Sequence, residues 1–150
     1  MRFLGNIEAK IDSKGRAFLP AAFRKVLQAS GAEHLVLRKD VFQDCLVLYP
    51  EAVWNEQLDA LRAKLSRWNA KEQQIYRTFI SDAEEVGLDG NGRFMISKRL
   101  QRLANINSAI KFVGMSDTIE IWNNDSSDDS FMDPLEFSKA LQDIMSEDAE

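Results

Sequence analysis

The chain carries one segment twice, and that duplication constrains its fold more than any other feature. Ile11-Asp12-Ser13-Lys14-Gly15-Arg16-Ala17-Phe18-Leu19-Pro20 aligns with Leu88-Asp89-Gly90-Asn91-Gly92-Arg93-Phe94-Met95-Ile96-Ser97, seventy-seven residues later. Asp, Gly and Arg coincide, and apolar positions match on both sides. The correspondence continues into a helical stretch, where Phe23 falls on Leu100 and Val26 on Leu103. A strand pair then follows in each half: residues 34–39 with 45–49, and residues 109–114 with 118–122. Each half therefore reads as strand, tight turn, strand, short helix, strand, turn, strand.

The local patterns explain this reading. Ile7, Ala9 and Ile11 alternate with Glu8 and Lys10, the period of a half-buried strand. Ser-Lys-Gly and Gly-Asn-Gly are turn sequences. Short apolar strands resume at Ala17-Phe18-Leu19 and at Phe94-Met95-Ile96. Two strands joined so closely predict an antiparallel hairpin in each half. Pro20 suits the start of a helix, and Gly31 its end. A lone hairpin cannot bury a core, but two copies can complete one small barrel with the helices outside.

Between the halves, Trp54, Leu58, Leu61, Leu65 and Trp68 recur at helical spacing and predict one apolar stripe. Asn69 and Glu72 form a capping pair at the start of a second helix, whose face carries Ile75, Tyr76 and Phe79. The expected organisation is a first repeat over 5–50, a helical connector over 51–80, a second repeat over 81–124, and an acidic linker and C-terminal helix over 125–150. Residues 123–130 read as a polar loop, and Asp133-Pro134 opens the final helix, with 147–150 fraying.

Charge is divided along the chain. The net charge of −5 looks wrong for a nucleic-acid binder. However, nine of the 24 acidic residues and one of the 19 basic ones lie between Asp125 and Glu150, so residues 1–124 carry +3. Residues 1–30 carry +4. A mildly basic body with an acidic tail suits a polyanion-binding protein. No apolar run approaches the ~18 residues of a membrane span, and none near Met1 is long enough for a signal peptide. The expectation is a soluble, cytoplasmic chain. Cys45, the single cysteine, sits in an apolar run and reads as a small buried hydrophobe.

Nothing points to an enzyme. His34 has no Cys or acidic neighbour at metal-ligand spacing and reads as a core or strand-end histidine. No nucleophile elbow, P-loop or dinucleotide fingerprint occurs. Gly90-Asn91-Gly92 lacks the Lys-Ser/Thr of a phosphate loop, and a strand follows it. No cofactor, metal or small-molecule substrate is expected.

Phe3-x-Gly5, Asp12-Ser13-Lys14-Gly15-Arg16 followed by Pro20, Leu46-x-Leu48-Tyr49-Pro50 and Asp89-x-x-x-Arg93 together resemble the MraZ family, over roughly residues 1–122. The resemblance implies an α+β fold: a duplicated SpoVT/AbrB-like swapped-hairpin β-barrel with peripheral helices, a double-psi-like pseudo-dimer. It implies a bacterial transcriptional regulator of the division and cell-wall gene cluster. Such a regulator binds short direct repeats in double-stranded promoter DNA as a ring-like homo-oligomer. The Asp-x-x-x-Arg loops would carry the DNA contacts, which places Asp12, Arg16, Asp89 and Arg93 at the interface. The AbrB-like class also contains antitoxins whose tails bind toxins, so a protein-interaction or antitoxin-type assembly module is the alternative.

The residues themselves divide the work. Arg16 has the two-pronged donor geometry that reads guanine or clamps phosphate, or else it only pairs with Asp12 to close the turn. Arg93 faces the same alternatives with Asp89. Lys14, at the turn tip, meets phosphate or is simply solvated. Asp12, Gly15, Asp89 and Gly92 organise the turns and aim the arginines. Arg24 and Lys25 follow the first turn and could flank a DNA backbone, but they read first as solvated residues of the helix. In the second half Asn91 replaces Lys14 and Ser97 replaces Pro20, which predicts a smaller share of DNA affinity for that loop.

Overall fold

The computed structural model describes residues 2–124 and 131–148, with side chains through 146. The elements in the first half are β1 (Asn6–Lys10), β2 (Arg16–Phe18), α1 (Ala21–Ser30), β3 (Leu35–Lys39) and β4 (Cys45–Pro50). The connector holds α2 (Glu51–Lys64) and α3 (Ala70–Ser81). The second half repeats the series as β5 (Glu84–Val86), β6 (Arg93–Met95), α4 (Lys98–Leu103), β7 (Ala109–Gly114) and β8 (Ile119–Asn123). Helix α5 (Pro134–Asp148) follows. The strands form an antiparallel six-stranded sheet in the order β1-β7-β8-β4-β3-β5 and a separate two-stranded ribbon, β2-β6.

This pairing overturns the expected local hairpins. β1 and β2 flank one tight turn but do not pair with each other. β1 lies against β7 of the second half, with Ile7 opposite Phe112, and β5 lies against β3 of the first, with Leu35 opposite Val86. β2 pairs only with β6. Alternating hydrophobicity fixes which face of a strand is buried, not which strand sits beside it. The pairs β3–β4 and β7–β8 do form within their own halves.

Exchanging β1–β4 for β5–β8 reverses the sheet order onto itself, so a pseudo-twofold axis runs between β4 and β8. The ribbon obeys the same symmetry: Arg16 faces Met95, Phe18 faces Arg93, and Ala17 faces Phe94 at the centre.

The core lies between the sheet and the ribbon. Leu37, Leu46, Leu48, Ile110, Phe112 and Ile121 project from the sheet and are inaccessible to solvent. They meet Ala17, Leu19, Phe94 and Ile96 from the ribbon and the segments that follow it, with Phe23 of α1 and Leu100 of α4 closing the sides. The Phe94 and Phe112 rings join ribbon to sheet edge-on at 6.2 Å. α1 opens after Pro20 and ends at Gly31 as expected.

The opposite face of β3–β4 is covered by the helical connector. Trp54 of α2 stacks on Phe79 of α3 at 5.4 Å. Buried Arg38 of β3 lies 4.4 Å over the Phe79 ring and donates through Nε to the Phe79 carbonyl at 2.9 Å. Asn69 caps α3 by accepting from the Glu72 backbone, while the Glu72 carboxylate turns away to accept from Ser66 N. The expected stripe runs two residues too far, at Leu65 and Trp68. α2 ends at Lys64, and Trp68 stands 97% exposed in the turn.

Cys45 is buried, as expected, and His34 sits exposed just before β3. The final helix forms from Pro134. Residues 125–130 of the expected linker and 149–150 of the fraying end lie outside the described residues. No helix among the described residues is long and apolar enough to cross a membrane.

Candidate nucleic-acid interface

The two Asp-x-x-x-Arg turns have the same geometry. In the first, Asp12 Oδ1 accepts from the backbone N–H of Lys14 and of Arg16, both at 2.9 Å, and Oδ2 accepts from Arg16 Nε at 2.9 Å. The backbone closes behind it, with Asp12 N–H donating to Arg16 O and Gly15 N–H to Asp12 O. In the second, Asp89 Oδ1 accepts from Asn91 and Arg93 N–H, and Oδ2 from Arg93 Nε, again at 2.9 Å. These are aspartate-organised turns, in which a short carboxylate takes over backbone donors that a tight reversal leaves unpaired.

The hydrogen bonds hold both carboxyls below their usual 3.8. The Arg16 backbone N–H is the largest lowering influence at Asp12, and the Arg93 backbone N–H at Asp89. Both aspartates are therefore anionic at neutral pH. Each arginine is fixed through Nε, yet among the described residues nothing accepts from its two terminal nitrogens. A guanidinium gripped at Nε with both Nη groups presented outward is a pre-aimed fork, the geometry that suits phosphate or the edge of guanine.

The ribbon places the two forks together. Its inner face carries buried Ala17 and Phe94, and its outer face carries Arg16, Phe18, Arg93 and Met95. Arg16 and Arg93 are diagonal neighbours across the ladder, roughly 7–8 Å apart at Cα for that relation. The Arg93 guanidinium lies 5.8 Å from the Phe18 ring, which is 56% exposed. Lys14 and Asn91 stand exposed at the two turn tips.

Each turn is also fastened to the other half. Gly15 O accepts from Ile96 N–H at 2.8 Å, and Gly92 O from Leu19 N–H at 3.0 Å. Beneath them, Arg24 Nη1 donates to Leu19 O at 2.7 Å and Gln101 Nε2 to Ile96 O at 2.8 Å. Arg24 and Gln101 occupy equivalent places in the repeat. Arg24 is thus a half-buried, bonded residue and not the solvated one expected. Lys25 does stay exposed. Ser97, in the place of Pro20, caps α4 by accepting from Leu100 N–H and donates to Glu84.

The structure thus brings Asp12, Lys14, Gly15 and Arg16 into one turn and Asp89, Asn91, Gly92 and Arg93 into another, on one surface. Sequence reasoning missed Phe18 beneath Arg93 and the support from Arg24 and Gln101. The seventy-seven-residue offset pairs Arg24 with Gln101, but nothing local shows that each sits under the other half's turn. Among the described residues no group of His, Cys, Asp and Glu could hold a metal ion.

Comparison with known proteins gives one consistent result. The family model described as "MraZ protein, putative antitoxin-like" matches residues 2–78 and again 79–140. A protein of Phocaeicola vulgatus named "Transcriptional regulator MraZ" is 59% identical over 145 residues, covering 97% of this chain and 94% of its own. A Bacteroides fragilis protein of the same name is 53% identical over 148 residues, covering 99% and 94%. One from Yersinia pestis is 30% identical over 145 residues, covering 97% and 95%.

Proposed function

The chain belongs to the MraZ family, and on that premise we propose that it is a transcriptional regulator that binds double-stranded promoter DNA through the outer face of the β2–β6 ribbon. One observation carries the reading: two turns of identical hydrogen bonding stand side by side on that face, each presenting an arginine with both Nη groups unengaged. Arg16 and Arg93, roughly 7–8 Å apart, fit together within a major groove about 12 Å wide. Lys14 adds a phosphate contact that positions without specifying. Asp12 and Asp89 hold the forks, and Gly15 and Gly92 let the turns close against the opposite half.

The exchange of β1, β5 and the ribbon strands supports a swapped-hairpin barrel whose two halves act as a pseudo-dimer. One such face offers few contacts, so affinity comes from repetition. Several copies in a ring-like homo-oligomer would set their ribbons on successive short direct repeats and gain through effective concentration. The promoter of the division and cell-wall gene cluster is the expected target, and the nucleoid in the cytoplasm the expected location.

Selection of bound duplexes from a random double-stranded pool tests this. Recovery of a short motif at regular spacing, lost with Arg16→Ala, is the expected result. Recovery of no enriched sequence by wild-type protein would refute it.

A second reading draws on α5, where Phe137, Leu141, Ile144 and Met145 are each 45% exposed or more. A helix with such a face suits docking on a protein, in an antitoxin-type or self-assembly role. Sizing of the chain with and without residues 133–150 separates this reading from the first: a change in assembly state supports it, and no change argues against it.

A further inference from the structure

The two turns differ in charge when taken alone. The first holds Lys14 and Arg16 against Asp12, whereas the second holds only Arg93 against Asp89. The residues beneath them differ in the opposite sense. Under Gly15 lies neutral Gln101, whose Nε2 would be 3.1 Å from a Cβ built on that glycine. Under Gly92 lies Arg24: the same added atom would meet its Cδ at 2.8 Å, Nη1 at 2.9 Å and Nε at 3.1 Å. The Arg24 guanidinium therefore fills the space where a side chain at position 92 would stand.

Its Nη1 is spent on Leu19 O. Among the described residues, Nε and Nη2 have no acceptor, and no carboxylate lies within ion-pair distance of Arg24. It is a positioned, uncompensated cation against the turn that lacks a lysine.

We propose that Arg24, reaching across from the first half, completes a phosphate-binding site at the second turn and contacts the DNA backbone there together with Arg93. With Arg24 counted, each turn sets two cations against one carboxylate. The replacement of Lys14 by Asn91 then removes no charge from the second site; it moves the source from the turn tip to the floor. The two turns thus match in electrostatics while differing in depth, because Lys14 projects on a flexible stem and Arg24 is tethered. The proposal rests on the DNA-binding reading above.

The molecule supplies its own control. Gln101 makes the same bond to a ribbon carbonyl that Arg24 makes, so Arg24→Gln keeps the tether and removes only the charge. The probe is a fluorescent duplex recovered from the random pool by wild-type protein, titrated by anisotropy across a salt series. Each lost phosphate contact makes the plot of log affinity against log salt shallower by about 0.9.

Arg24→Gln is expected to flatten the slope by about that amount per engaged subunit, with an unchanged melting temperature, and Arg24→Lys to restore it. Gln101→Arg, which puts a cation under the first turn, is expected to steepen the slope by a similar amount. A full wild-type slope in Arg24→Gln overturns the proposal, as does equal loss in the Gln and Lys variants, which would mark a purely structural residue. If Arg24→Gln fails to fold, an unchanged slope in Gln101→Arg overturns it. Loss of binding in Arg16→Ala with full binding in Arg24→Gln would remove this site and leave the DNA reading intact. Absence of any bound duplex removes both.

Discussion

Gly15 and Gly92 are equivalent by sequence and adopt the same left-handed backbone, with φ of 86° and 80°, yet replacing each with alanine should have different consequences. Both variants incur the left-handed cost of a residue with a Cβ, about 1–2 kcal/mol. Beyond that they diverge. An alanine methyl at 15 would stand 2.7 Å from the Ile96 carbonyl oxygen. That carbonyl accepts from Gln101, and the Ile96 N–H donates back to Gly15 O. The backbone cannot retreat without breaking one of these bonds, so overpacking adds roughly 1–3 kcal/mol. At 92 the obstruction is the Arg24 side chain, which can swing aside for the loss of one hydrogen bond, about 0.5–1.5 kcal/mol.

Gly15→Ala is therefore expected to be the less stable by about 1 kcal/mol, or roughly 2–4 °C for a chain of this size. Thermal unfolding followed by circular dichroism at matched protein concentration measures it, because assembly of the proposed kind would make the midpoint concentration-dependent. Equal midpoints, or a lower one for Gly92→Ala, would refute the packing argument. The ranking should invert in the salt series, where Gly92→Ala displaces Arg24 and flattens the slope although it is the more stable of the two.

Three further outcomes are expected. Burial raises the Glu120 carboxyl above its ordinary 4.5, against the opposing hydrogen bond from Trp122 Nε1. Its contribution to stability is thus present below about pH 4.5 and lost as pH rises through the folded value, so Glu120→Gln should match wild type in acid and gain stability toward neutrality; a parallel pair of stability-versus-pH curves would contradict this. Burial also pushes the Cys45 thiol far up from its usual 9.0; iodoacetamide at pH 8 should leave the native chain unmodified and label it after unfolding, and rapid native labelling would show the sheet opening at β4. Among the described residues, ending the chain at Asn124 removes none of the core cluster but takes the Phe131 ring away from buried Lys111, a contact worth about 0.5–2 kcal/mol; the melting temperature should fall by no more than several degrees while DNA affinity at low salt rises with loss of the acidic tail, and a chain that no longer folds would place the tail in the core.

Elements set by neighbouring residues were legible in the sequence. Pro20 and Gly31 bound α1, Asn69 starts α3, and the Asp-x-x-x-Arg spacing yields the same turn twice. What could not be read is what crosses between halves. β1 and β2 are adjacent in sequence, so a hairpin was the economical expectation. Their ladder partners lie about a hundred and about seventy-seven residues away, and no period-two pattern encodes that choice. Trp68 fits the helical stripe by spacing, but Ser66 and Asn69 organise a turn there and leave it outside. Arg24 looked like a solvated helix residue because its surroundings come from residues 92 and 19 together, which only the ribbon brings into contact.

The most direct test of the ribbon as the DNA-binding face is anisotropy of a selected duplex with wild type, Arg16→Ala, Arg93→Ala and the double variant. Each arginine donates to an aspartate in a partly exposed pair, and solvent-screened pairs of this kind add little to stability, so all four proteins should stay folded. Each single variant should lose about 1–3 kcal/mol of sequence discrimination, roughly five- to 150-fold, and the double variant should bind all duplexes alike. Undiminished discrimination by the double variant, with assembly intact, would contradict the assignment.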